Sequence, residues 1–228
     1  MRFFKYRIDE FNFNFFTFRE WLSNNFWEWD WYYLFDFLEY IIRKDDELPN
    51  MFASACNDVF RKENVPYRFI GLEITPLTND QEILEVKKAL SSHFEPIRLH
   101  FEKSLHHMSD RRNPDYSNSI KESISAVECV CQIIVGRRGI ALNRALKKLE
   151  DSGLEINNVL KKGFSQLYGW TSSDDGIRHA MMDLPTVDQD DARFILVTCS
   201  AFVNYLIAEA SKAGIDLASN YENIILNA

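Results

Sequence analysis

A chain of 228 residues, 46% apolar and 26% charged, is long enough to bury a sizeable core and too apolar to be a disordered tail. Its net charge of −8 argues against a protein that coats nucleic acid by bulk electrostatics, but leaves room for a local basic cleft. Four cysteines, Cys56, Cys129, Cys131 and Cys199, lack paired metal-ligand spacing and read as buried thiols of a reducing compartment.

The chain opens on alternating Phe, Lys, Arg and Asn, which predicts no signal peptide. No stretch is expected to reach the roughly 20 apolar residues of a membrane span, so the expected location is the cytoplasm, without membrane contact. Residues 1–60 hold twelve of the eighteen Phe and four of the five Trp. Later segments favour Ile, Leu, Val and Ala, so two differently built modules are expected, over 1–92 and 93–212. From Trp27 to Lys44, the spacing of Trp31, Leu34, Phe35, Leu38, Ile41 and Ile42 predicts a helix buried along one broad face, with Asp36 and Glu39 on another. Such aromatics suit a stacking platform for bases or, more commonly, a core. A second helix is predicted from Pro49 to Asn64. Alternation around Gly71 predicts a hairpin over 67–76, and Thr78 or Asn79 caps the next helix.

Beyond Ser91 every element reads as helix. One spans His93–Met108, and the next starts at Asn113-Pro114 and ends at Gly136. Two more run from Ala141 to Asp151 and from Ile156 to Tyr168, where Gly169 is expected to stop the chain. Thr186–Gln189 has the form of a capping box before a long, buried helix to about Lys212. Residues 213–228 read as a tail or appended helix. The expected fold is mainly α, a helical N-terminal module with one β-hairpin followed by an all-α bundle.

Within the helix that follows Pro114, Ile120, Ile124, Val127, Cys131 and Ile134 form a core stripe. Asn118, Lys121, Ser125, Glu128 and Gln132 form a second, polar stripe, which either faces water or lines a site. Glu128 sits at the apolar edge, where a carboxylate is costly unless paired. Arg178 is the candidate partner, with Arg111, Arg112 and Arg193 competing. The segment Thr171-Ser-Ser-Asp-Asp-Gly-Ile-Arg-His179 carries cap-forming residues, Asp175 among them, and then the pair Arg178–His179. An arginine to hold phosphate and an imidazole to move a proton are the two needs of metal-free RNA cleavage. His100, His106 and His107 lack a close acidic or Cys ligand, so no metal and no cofactor is expected. Neither a Gly-rich phosphate loop nor a Gly-x-Ser-x-Gly elbow is present.

The runs Arg112–Glu128, Leu146–Glu150, Tyr168–His179 and Asp191–Leu206 resemble signatures of AbiJ-type abortive-infection proteins, and Tyr67-Arg-Phe-Ile with Ile74-Thr-Pro-Leu-Thr resembles the family's N-terminal module. The resemblance covers nearly the whole chain to about residue 212. It implies an antiphage effector whose part 93–212 is a HEPN-like helical bundle, dimeric, that binds RNA such as tRNA or other cellular RNA and cleaves it without metal. A phage or host protein is the implied trigger. By this resemblance His179 is the acid–base residue, Arg178 the phosphate clamp and Glu128 the residue that orients one of them. Asn118, Lys121, Glu122 and Asp175 complete the site. HEPN nucleases place an Arg four to six residues before a His; here Arg178 is adjacent to His179 and no histidine has that spacing. The alternative is a non-catalytic sensor or adaptor that binds nucleotide, RNA or a protein partner.

Overall fold

The computed structural model describes residues 19–20, 23–24, 26–44, 49–149, 151–172 and 187–226. A 3-10 turn, Phe26–Glu28, precedes α1 (Trp31–Lys44) and α2 (Pro49–Lys62). The hairpin β1 (Arg68–Ile70) and β2 (Glu73–Thr75) follows, then α3 (Asp80–Leu90), α4 (Glu95–Ser109) and α5 (Tyr116–Val135). The chain continues through α6 (Leu142–Lys148), α7 (Asn158–Ser172), α8 (Gln189–Lys212) and α9 (Leu217–Leu226). The fold is mainly α with one short antiparallel hairpin, as the sequence predicts.

The hairpin pairs Arg68 with Thr75, Phe69 with Ile74 and Ile70 with Glu73. Gly71 sits at its turn with φ +59°, a conformation that costs glycine little. Phe69 and Ile74 face a small aromatic core with Ile42 and Phe60, flanked by Phe35, Phe52 and Tyr67. Part of the aromatic cluster is thus core. Trp27 and Trp31, by contrast, are exposed.

Helix α5 is the spine of the larger core, packed between α4 and α8. Its predicted stripe of Ile120, Ile124, Val127, Cys131 and Ile134 is buried throughout, and Ala126, Val130 and Ile133 are buried as well. Each fully buried aliphatic side chain contributes about 1.5–3 kcal/mol. Helix α3 lies against α8, and its Ile83, Val86 and Ala89 belong to this same core. The α5 cap is Asp115, whose carboxylate accepts the Asn118 N–H, and Gly136 ends the helix at φ +65°.

Several boundaries differ from expectation. Helix α1 starts at Trp31 rather than Trp27, because residues 26–28 form the 3-10 turn. Gly169 does not end α7, which continues to Ser172. A helical glycine costs roughly 1 kcal/mol, and the packing of Leu167, Tyr168 and the buried Thr171 offsets it. The capping box before α8 is Asp188 with Asp191, since the Asp188 carboxylate takes the N–H groups of Asp190 and Asp191 and Asp191 accepts the Asp188 N–H. Thr186 lies outside the described residues. Helix α8 is also long and apolar enough to cross a bilayer, contrary to the expectation from sequence. Half of that stretch is buried within the protein, as in the core helix of a bundle.

Candidate functional site

Of the residues singled out from sequence, Asp175, Arg178 and His179 lie outside the described residues, between the end of α7 at Ser172 and Val187. Asn118, Lys121, Glu122 and Glu128 all lie on α5. Their surroundings separate them. Asn118 serves the helix cap: its backbone N–H and its side-chain Nδ2 both donate to Asp115, at 2.9 and 2.6 Å. These bonds tie Asn118 to the start of α5. Gln132, at the far end of the polar stripe, donates to the Ile140 carbonyl and accepts from the Gly139 N–H, anchoring the loop before α6.

Lys121 is exposed and Glu128 is half-buried. Glu122 points to α4, where the His100 Nδ1 lies 2.6 Å from its Oε2. This His–carboxylate pair bridges α4 and α5 and was not anticipated from sequence. Glu128 lies next to Cys129, which is half-buried, and one helical turn from Cys131, which is buried. Burial first, and the Glu128 charge second, push Cys129 up to about 11 and Cys131 higher still. Both shifts disfavour the thiolate at neutral pH.

The arginines that compete for Glu128 are placed differently. Arg193 pairs with Asp190 at 3.1 Å on its own helix. Arg111 and Arg112 occupy the tight loop between α4 and α5, where the Asp110 carboxylate accepts the N–H groups of Arg112 and Asn113. That loop turns both guanidinium groups towards α1. Arg111 Nη1 donates to Asp36 Oδ1 at 2.9 Å, and Nη2 donates to Glu39 Oε1 and to the Ile74 carbonyl. Its guanidinium also lies over the Phe35 ring, 5.2 Å from the centroid. Glu39 in turn accepts the Ile74 N–H at 2.7 Å. Arg112 pairs with Asp36 and lies over the rings of Tyr32 and Tyr33.

The expectation that Asp36 and Glu39 occupy a face apart from the buried one is therefore corrected. Glu39 is buried, and Arg111 supplies the charge that offsets its desolvation. Burial pushes the Glu39 carboxyl above its ordinary value, opposed by the Arg111 hydrogen bond and charge. Beside it, Glu73 meets Arg43 at 2.7 Å and His106 at 3.4 Å. Burial alone would raise the Glu73 carboxyl, but hydrogen bonds and charges from His106 and Arg43 hold it below its ordinary value. The Glu73 hydrogen bond raises His106. Two chemical signals were available in the sequence for this cluster. Asp36 and Glu39 recur at i, i+3 on a strongly aromatic helix, and the Arg111–Arg112 doublet follows an amphipathic one.

Among the described residues, no group of three or more His, Cys, Asp or Glu is arranged to hold a metal ion. Residues 2–92 match the family model of AbiJ N-terminal domain 4. No curated protein and no solved structure matches the chain. The matched segment contains α1, α2, the hairpin and α3, so the Asp36–Glu39–Arg111 cluster fastens this domain to the α4–α5 loop. The chain thus carries an AbiJ-type N-terminal domain over residues 2–92, and that domain points to an abortive-infection system.

Proposed function

We propose that this protein is an antiphage effector in which the AbiJ N-terminal domain receives the infection signal and a HEPN-like bundle acts on RNA as a dimer. The observation that carries this reading is the buried join at Arg111. It couples the matched domain to the α4–α5 loop, one end of the helix that bears Lys121 and Glu128. A change in the N-terminal domain would reach the start of α5 through these contacts. In this reading His179 moves the proton, Arg178 clamps the phosphate and Glu128 orients one of them, with Lys121 and Asp175 contributing at the edges. Arg178 is, in this reading, the partner of Glu128, while Arg111 and Arg193 pair with other carboxylates.

The test is a cellular one. Arg178→Ala and His179→Ala are each expected to abolish growth arrest in phage-challenged cells while the proteins accumulate in soluble form. Growth arrest that persists in soluble His179→Ala would overturn the catalytic assignment. A second reading, a non-catalytic sensor or adaptor, is favoured by the adjacency of Arg178 and His179, since HEPN nucleases separate the two. It predicts RNA or partner binding without RNA cleavage.

A further inference from the structure

A cleft of about 1010 Å³ lies away from the polar stripe of α5, between the AbiJ domain and α4. One wall is α2, one is the hairpin turn, one is the C-terminal end of α3, and the floor is the α4 face carrying Arg98, Glu102 and His106 at four-residue spacing. Its charge is opposite to that of the chain. Arg43, Arg61, Lys87, Arg98 and Lys103 line it with only two carboxylates, Glu73 and Glu102, in a protein of net charge −8.

The carboxylates are already occupied. Glu73 pairs with Arg43 and His106, and Glu102 pairs with Arg98 at 2.7 Å. Arg61 shares its charge with Asp58 and Asp80. Lys87 and Lys103 pair with no carboxylate among the described residues, and both are exposed. They come from different helices, α3 and α4, so the surplus positive charge belongs to the cleft and not to one helix face. Low-dielectric walls concentrate such a field on an entering anion.

The rest of the lining is of another kind. Leu72 and Leu99 expose apolar surface within the cleft, and Asn50 and Ser54 on α2 offer exposed polar side chains. Small-molecule sites are concave and mostly apolar, with a few convergent polar groups and volumes of about 300–1,000 Å³. A ligand with an anionic end, a flat apolar part and hydroxyl or amide groups matches these three features together. We propose that this cleft binds a phosphate-bearing nucleotide, with Lys87 and Lys103 on the phosphates and Leu72 and Leu99 against the base. The site is separate from the Arg178–His179 segment and does not depend on the reading of that segment as catalytic. The same phosphate chemistry is offered by a free nucleotide and by a short RNA strand.

The test is calorimetric titration of the full chain with ATP and, separately, with a ten-residue oligouridylate. The variants are Lys87→Glu/Lys103→Glu and, as control, Lys88→Glu, which is exposed on the same helix but does not line the cleft. Losing two charge-assisted contacts should weaken binding about tenfold or more in the double variant, with the control near wild type and all thermal melts alike. ATP binding with this pattern identifies a free nucleotide as the ligand. The pattern with the oligomer alone identifies an RNA strand. Absence of binding by both probes, or equal binding by the double variant, overturns the proposal. Binding is read directly, so the outcome stands whether or not His179 proves catalytic.

Discussion

Arg111 and Glu39, 72 residues apart, meet with both side chains only 6% exposed. This contact joins the AbiJ domain to the bundle. Nothing in either local sequence requires it. It exists because the α4–α5 loop places a guanidinium over Phe35, where Asp36, Glu39 and the Ile74 carbonyl converge.

Removing one member of a buried pair leaves the other charge uncompensated, at a cost of about 3–5 kcal/mol. Arg111→Ala is therefore expected to lower unfolding stability by that amount in urea titration. Arg112→Ala should cost less, about 1 kcal/mol or below, because Arg112 is 53% exposed. Equal, small losses in the two variants would contradict the buried join.

The contact of His106 with Glu73 has a defined pH window. The Glu73 carboxyl is lowered, so its stabilisation is present above its unfolded value of 4.5 and is lost as pH falls through the folded value. His106 is raised, so its stabilisation is present below its unfolded value of 6.5 and is lost as pH rises through the folded value. The contact therefore contributes most between about pH 4.5 and 6.5. Because His106 is largely exposed, the gain is screened and amounts to about 0.2–1 kcal/mol. Wild type should exceed His106→Gln in stability at pH 5.5, and the difference should vanish by pH 8.5. A difference that grows with pH would contradict the assignment.

Thiol labelling should follow burial. Cys199, pushed up to about 12, and Cys131, raised further, are fully buried in the bundle core. Both should resist a disulfide reagent at neutral pH until the protein unfolds. Cys56 and Cys129, half-buried, should label slowly in the native state. Mass spectrometry of labelled peptides reads the order directly, and rapid native labelling of Cys131 or Cys199 would contradict the packing of α5 against α8.

The start of α8 depends on one side chain. Asp188→Ala removes an acceptor for two backbone N–H groups and half of the capping box, and should cost about 0.5–2 kcal/mol. Asp188→Asn should retain most of that stability, measured by denaturant titration. Equal losses in the two variants would place the effect on charge instead of capping.

Periodic local signals were legible. The buried stripe of α5, its end at Gly136, the Asn79 cap and the hairpin all follow from spacing and from residues with narrow conformational preferences. What failed was set by partners distant in the chain. Asp36 and Glu39 read as lying apart from the buried face until Arg111 is beside them, and no local signal pairs Glu122 with His100 across the two helices. Gly169 reads as a stop, yet α7 continues because the residues around it bury apolar surface against the bundle. For the candidate site, sequence placed Asn118, Lys121 and Glu128 on one stripe of α5, and the part Asn118 plays in the helix cap was not legible in it. Asp175, Arg178 and His179 lie outside the described residues.

The proposed activity is RNA cleavage without metal through His179. Its most direct test is incubation of purified protein with total cellular RNA in EDTA, beside His179→Ala. The account predicts cleavage that survives EDTA and is lost in a folded variant. Cleavage that disappears with EDTA, or that persists in His179→Ala, would contradict it.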